Sequence, residues 1–394
     1  MAAVLAALLA PLVPPAPAAA GEPAVQPDNR PTPLPGVENG YVPADRLITA
    51  APGCRVARQA GPSLALLFRS ASASRVRLGA RDCYRPISGQ VAVASSWSER
   101  GNSACAATPQ YHSDGRPKGT SMHGWGKAVD FSEPTPMTFS SPGYRFLKSH
   151  AGRLGWNHPG WAEPGGSSCP EPWHWEWVGD GGTMGADPVP AEVVSVLAAA
   201  DGQGYATVTG LGAVRPRGSA RSFGSAESIP LHWVVVSAAA SPGGTGYWLL
   251  GGDGGVFNFG TAGFYGSTGS MRLNSPVVGM ASTPDGRGYW LVAADGGIFS
   301  FGNAVFHGST GDIRLNQPVA GMSPSPGGGG YWLVAYDGGI FNFGSAGFHG
   351  SAADRGLATP AVGMAPTLAG DGYWIVAADG TVVNRGSAGH FGTG

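Results

Sequence analysis

Charge is scarce in this chain. Only 12% of its 394 residues are Asp, Glu, Lys or Arg, and 24 basic residues balance 25 acidic ones. A near-neutral chain has no basic field with which to collect a polyanion, so nucleic acid is not expected as a partner. Long apolar runs are missing as well. The one apolar stretch, at residues 1–20, is broken by Pro11, Pro14, Pro15 and Pro17 well short of a bilayer span, and no transmembrane anchor is expected. That stretch ends in the small-residue run Pro15-Ala16-Pro17-Ala18-Ala19-Ala20-Gly21, which suits signal peptidase, although the usual positive n-region is lacking. There are four cysteines, none in a C-x-x-C pair, which argues against zinc ligation by cysteine. An even number in an exported chain favours disulfides, and three pairings are possible. We prefer Cys54 with Cys83 and Cys105 with Cys169. The helical metal motif H-E-x-x-H is also absent. What the chain has in excess is turn formers, with 66 Gly and 34 Pro, yet 42% hydrophobic residues mark it as folded.

The chemistry concentrates in two short stretches, Ser121-Met122-His123-Gly124-Trp125-Gly126-Lys127-Ala128-Val129-Asp130 and Glu171-Pro172-Trp173-His174-Trp175-Glu176-Trp177. A hydrolytic zinc needs three protein ligands and one open position, and neutral imidazole with a carboxylate is a common set. His123, Asp130 and His174 would supply it. Gly124 and Gly126 break the spacing between the first two, so it reads as a turn feeding a strand at residues 128–131. Glu171, three residues before His174, is placed to act as general base, and Glu176 is its nearest competitor. His112, His150 and His158 have no motif partners and are read as structural.

These residues carry a family resemblance. The string S-x-H-x-x-G-x-A-x-D followed by E-P-W-H resembles the zinc D,D-carboxypeptidases, which include the vancomycin-resistance carboxypeptidases and dipeptidases and have relatives among peptidoglycan endopeptidases. Tyr84-Arg85 with Gln90 resembles the family's Y-R-x-x-x-x-Q element. The resemblance covers residues 41–181 and implies a Hedgehog/D-Ala-D-Ala peptidase-like α+β fold. It implies one Zn2+ held by His123, Asp130 and His174, Glu171 as base, and Arg85 as the group that stabilises developing negative charge. Ser121, Gln90 and Tyr84 would line the substrate cleft. Arg85 as a purely structural ion-pair residue is the alternative.

Along the chain, prolines 27, 31, 33 and 35 make residues 21–40 an exposed linker. Periodicity predicts a helix from about Val56 to Phe68, a strand at Val76–Leu78, a helix at Ser88–Ser98, a loop over 101–122, a helix at Gly143–Gly152 and a strand at Trp173–Val178. A second linker is expected at 182–190. Beyond it Trp248, Trp290, Trp332 and Trp374 recur every 42 residues, and one further step back reaches Gly204-Tyr205-Ala206, giving five units over 191–394. Asp-Gly turns between short apolar runs make each unit a blade of three to four strands, and the whole a five-bladed β-propeller-like domain. The repeats resemble Gly-Tyr-Trp repeats of exported actinobacterial proteins. The tryptophans are read as blade core rather than a sugar-stacking row, the Asp-Gly aspartates as turn residues, and His307 and His349 as surface residues. The chain is thus expected to be a secreted, cell-wall-associated peptidase acting on peptidoglycan stem peptides at or near the bond before a terminal D-alanine. The competing class is a cell-wall-binding or interaction protein that retains a repurposed peptidase fold, with a ligand for the repeats in either case.

Overall fold

The computed structural model describes residues 33–101, 105, 107–167, 169–178 and 193–392. The expected signal peptide at 1–20, most of the first linker and the linker at 182–190 lie outside the described residues. Two compact units divide between Pro190 and Ala191.

The first unit is α+β. A hairpin of β1 (Leu47–Ala51) and β2 (Cys54–Ala57) precedes α1 (Gly61–Ala73), then β3 (Gly79–Asp82), α2 (Ile87–Glu99), the short pair β4 (Gln110–Tyr111) and β5 (Pro117–Lys118), β6 (Ala128–Ser132), α3 (Pro142–His150), β7 (Trp156–Asn157) and β8 (His174–Trp177). The helix expected from Val56 therefore starts at Gly61. Val56 instead belongs to an antiparallel hairpin turned at Gly53, where φ is +72°, and Pro62 occupies a first-turn position that costs no hydrogen bond. Its buried face is Ala60, Leu64, Leu67 and Ala71, spaced as one side of a helix. The strand expected at 76–78 forms at Gly79–Asp82, because pairing with β6 decides its position. Residues at the end of the expected exposed linker are docked: Leu34 and Asn39 are buried.

The central sheet runs β3-β6-β8-β7, with antiparallel pairing throughout. Val129, Phe131, Trp175 and Trp177 are buried in the core, where Phe131 packs on Phe68 and on Trp156. Both preferred disulfides are present, Cys54–Cys83 and Cys105–Cys169, each with Cα atoms 5.4 Å apart. Among the described residues no helix is long and apolar enough to cross a membrane.

The second unit consists of five three-stranded antiparallel sheets. Their strands are β9 (Val193–Ala198), β10 (Gly204–Thr209) and β11 (Val214–Gly218); β12 (Val235–Ala240), β13 (Gly246–Gly251) and β14 (Val256–Gly260); β15 (Val277–Ser282), β16 (Gly288–Ala293) and β17 (Ile298–Gly302); β18 (Val319–Pro324), β19 (Gly330–Ala335) and β20 (Ile340–Gly344); and β21 (Ala361–Pro366), β22 (Gly372–Ala377) and β23 (Val382–Gly386). The first strands of consecutive sheets pack in series.

The Gly-Tyr-Trp repeat has a division of labour. Trp248, Trp290 and Trp332 are almost fully buried, so they cannot stack a sugar, and each indole N–H donates to a carbonyl fifteen residues on in its own unit. The tyrosine joins neighbouring units: Tyr289 donates to the Gly266 carbonyl (2.6 Å) and accepts from the Tyr265 amide (3.2 Å), and Tyr331 and Tyr373 repeat the pattern. Tyr205, in the first of the five sheets, is 47% exposed. The aspartates Asp253, Asp295, Asp337 and Asp379 each accept from the backbone amide two residues on, which is turn chemistry. His307 and His349, expected at the surface, are half-buried, because they take the place of Tyr265 and pack on the next unit's tyrosine.

Tyr289→Phe keeps the ring and removes the hydroxyl that pairs two backbone groups of the preceding unit. We expect a loss of about 1–2 kcal/mol, seen as a fall of roughly 2–8 °C in the thermal transition of the repeat unit, with the first unit's transition unmoved.

Candidate metal centre and base

Sheet register builds the site. Asp130 on β6 stands directly opposite His174 on β8, and Ala128 opposite Glu176, so Asp130, His174 and Glu176 project from one face while Val129, Phe131, Trp175 and Trp177 take the other. His123 arrives from a single turn, Met122–Trp125, capped by the Ser121 hydroxyl and ended by Gly126 in the left-handed region at φ +67°. The donor atoms converge. His174 Nδ1 lies 2.9 Å from Asp130 Oδ1, His123 Nε2 lies 3.1 Å from the same oxygen, and the two ring nitrogens are 3.3 Å apart. All three residues offer a ligand atom within 4.8 Å of one another, and they could hold a metal ion.

The other nitrogen of each ring is taken, which selects the tautomer. His123 Nδ1 donates to the Cys83 carbonyl at 2.7 Å, and His174 Nε2 donates to Glu176 Oε1 at 3.2 Å. Neutral imidazoles in these tautomers would turn lone pairs inward, the state a metal ligand requires, whereas without an ion a proton on the inward nitrogen serves the Asp130 carboxylate. Burial pushes Asp130 up, but the two histidines outweigh it and hold the carboxyl well below its usual range. Burial pulls His174 down, yet its bonds to Asp130 and Glu176 push it up to about 10. The carboxylates therefore favour positive charge at this point, and a divalent ion would satisfy the same demand. Two imidazoles and one carboxylate with anchored outer nitrogens fit a zinc-type ion.

Glu171 sits to one side, Oε2 3.9 Å from His174 Nδ1, and burial raises its pKa, His174 opposing and the Asp130 charge adding to the shift. Its backbone is pinned: the amide donates to the Ala162 carbonyl, and its own carbonyl accepts from the His174 amide and the His158 ring at 2.9 Å. Arg85 lies across the site. Its Nε donates to Asp82 Oδ2 at 2.7 Å, and Nη2 lies 3.7 Å from Asp130 Oδ2, so an ion pair and a place on the cavity wall coexist. Arg85, Ser121, His123, Asp130, Glu171 and His174 all line one cavity of about 760 Å³.

Two residues expected at the cleft do not line this cavity. The Tyr84 hydroxyl donates to the Gly40 carbonyl and accepts from the Val42 amide. Gln90 is 1% exposed and its amide is fully used: Nε2 donates to Asn39 Oδ1 and the Arg85 carbonyl, while Oε1 accepts from the Thr120 and Ser121 amides. It holds the metal loop from behind. Asn39, which carries no motif signal in the sequence, completes this knot by donating to the Ser121 carbonyl at 2.8 Å. Gly124 has to be glycine here, since a Cβ would lie 1.9 Å from Asn39 Oδ1. His158, read from the sequence as structural, supports Glu171, and Glu176, the competitor for the base, instead supports His174. Trp161, whose ring lies 4.9 Å from that of His174, also lines the cavity and went unnoticed.

Residues 54–180 match the family VanY: D-alanyl-D-alanine carboxypeptidase. The VanY match holds every donor of the site, and it supports peptidase activity on peptidoglycan. VanYB in complex with D-alanine-D-alanine is similar at 27% identity over 39% of this chain and 86% of that chain, with a TM-score of 0.29. Two structures of Chaetomium thermophilum Sqt1, one bound to the N-terminus of ribosomal protein L10, are similar at 15% and 16% identity over 50% of this chain, with TM-scores of 0.37 and 0.36. The chain spans 58% and 59% of the length of those Sqt1 chains. No curated protein matches this chain.

Glu176→Gln removes the charge behind His174 but keeps the shape. We expect divalent-ion affinity, measured by competition with a chelator, to fall about 10–100-fold while the fold is kept. Unchanged affinity would leave Glu176 a plain strand residue.

Proposed function

We propose that the VanY-type domain is a zinc peptidase that removes the terminal D-alanine from peptidoglycan stem peptides, with His123, Asp130 and His174 holding the ion. The observation that carries the proposal is the convergence of three donor atoms beside a buried, pinned Glu171 in the same cavity as Arg85. Zinc when bound supplies a Lewis acid that polarises the scissile carbonyl and acidifies water. Glu171 takes the proton of the attacking water, and burial, by raising its pKa, makes it a better acceptor near neutral pH. The proton then passes from Glu171 to the leaving amine. Arg85, steadied by Asp82, stabilises the negative charge that develops on the carbonyl oxygen. Ser121 contributes to the cleft wall. A binding module would have no use for such a base. Cleavage within the stem or cross-bridge uses the same residues and is the variant of this reading.

Two disulfides and the absence, among the described residues, of a membrane-crossing helix fit an extracellular protein, so we read the chain as exported to the cell wall. We keep 41–181 as the peptidase domain and read the five sheets of 191–394 as propeller-like blades.

Incubation of the full chain with peptides ending in D-Ala-D-Ala, followed by mass analysis, should show loss of one alanine, abolished by a chelator and restored by zinc. His123→Ala or His174→Ala should lose both zinc and turnover. Glu171→Ala should keep zinc and lose turnover by about 10²–10⁴-fold; normal turnover would remove Glu171 from the mechanism. Arg85→Lys should fold and bind zinc yet lose roughly 10²-fold in kcat, because lysine lacks the planar fork that engages Asp82 while facing the substrate. Unchanged kinetics would make Arg85 a structural residue.

A further inference from the structure

The repeat tryptophans named above are buried, yet each of the three middle units turns one other ring to solvent. Phe264, Phe306 and Phe348 recur every 42 residues and are 57%, 57% and 58% exposed. A single exposed apolar side chain needs no explanation. Three at the same position of consecutive units are different, because the repeat sets them in a row and the blade cores do not use them. In the first unit the position holds Ser222, and in the fifth it holds His390.

The backbone under each ring is clamped from both sides. The residue before it accepts from the indole of its own unit: Trp248 donates to the Gly263 carbonyl at 2.7 Å, Trp290 to Val305 at 2.8 Å and Trp332 to Gly347 at 2.7 Å. The residue after it donates its amide to the tyrosine of the next unit: Tyr265 to Tyr289 at 3.2 Å, His307 to Tyr331 and His349 to Tyr373 at 3.1 Å. Each phenylalanine is therefore held in place at the junction of two units while its ring stays free, and a ring fixed beforehand loses little entropy when it binds.

The surroundings select the ligand. No Asp, Glu, Lys or Arg occurs at 261–270, 303–311 or 345–353. Two charged residues bonded to these segments are engaged there: Asp285 accepts from Asn303, and Arg385 donates to the Ser351 carbonyl. Thr261, Asn303 and Ser345, each three residues before its ring, are exposed and neutral. A repeated ring among neutral hydrogen-bonding groups complements a polymer that is uncharged, rich in hydroxyl and amide groups, and offers the same apolar face at regular intervals. A chain of sugars has that form. Resting on the peptidase reading for the choice of polymer alone, we propose that Phe264, Phe306 and Phe348 are stacking platforms for a glycan strand of N-acetylhexosamines. The row holds the chain on the polymer that carries the stem peptides.

The test is co-sedimentation of the full chain with chitin, an insoluble polymer of N-acetylglucosamine, in the presence of a chelator so that the metal centre takes no part. We expect saturable binding. Each single Phe→Ala variant should weaken it by about threefold and Phe264→Ala/Phe306→Ala/Phe348→Ala by more than about tenfold, because weak contacts to one strand multiply. The thermal transition should stay in place, since the rings are exposed. The corresponding triple Phe→Tyr variant keeps the rings and should keep the binding. No saturable binding, an undiminished triple alanine variant, a triple tyrosine variant as weak as the alanine one, or attachment to phosphatidylglycerol vesicles in place of chitin overturns the proposal. Cleavage of a soluble peptide ending in D-Ala-D-Ala is assayed in parallel with zinc. Failure there removes the peptidase reading while the chitin result still decides the row, and cleavage without chitin binding overturns the row alone.

Discussion

The register of β6 against β8 is the constraint on which the site depends. Asp130 faces His174 because Val129 and Phe131 on one strand, and Trp175 and Trp177 on the other, are buried together on the opposite face. A shift of one residue would turn all four into the cavity and drive a carboxylate and an imidazole into an apolar core. Core packing therefore fixes the electrostatics: the same burial that stabilises the sheet brings an acid and a base into contact and forces an excess of negative charge that a cation relieves.

The third candidate ligand is held by a different device. His123 lies on a single short turn, and polar groups buried beneath that turn help to position it. Gln90 and Asn39 satisfy one another and the loop backbone, and Gly119 and Gly124 allow the approach, as either Cβ would overlap the Asn39 side chain. Glu171 is fixed by backbone bonds and by His158, while its carboxylate is left to the cavity. Rigid backbone with an uncommitted functional group is what proton transfer at a chosen point needs.

Much of this was legible in the sequence because the candidate ligands sit in two compact strings whose spacing survives in one dimension. The disulfides were accessible for a similar reason, each joining segments next to a motif. Asn39 was hidden, since a residue in a proline-rich stretch shows no sign that it docks 82 positions away on Ser121. Gln90 and Tyr84 were visible as motif members, but only the fold shows that their polar atoms face backbone instead of the cavity. The start of α1 misled because Val56 suits helical and alternating patterns alike, and the partner strand decided between them. In the repeats the 42-residue period gave the five units directly, whereas the role of tyrosine as the tie between units depends on a neighbour that the single repeat does not contain.

The central claim is that one ion is held by His123, Asp130 and His174 with Glu171 facing it but not bound. Anomalous diffraction at the zinc edge from crystals grown with zinc tests this most directly. The account predicts a single strong peak in the first unit, about 2.0–2.2 Å from His123 Nε2, His174 Nδ1 and an Asp130 oxygen, with Glu171 beyond bonding distance. A peak ligated by Glu171 or Glu176 in place of one of these three, or no peak at the site at saturating zinc, would contradict it.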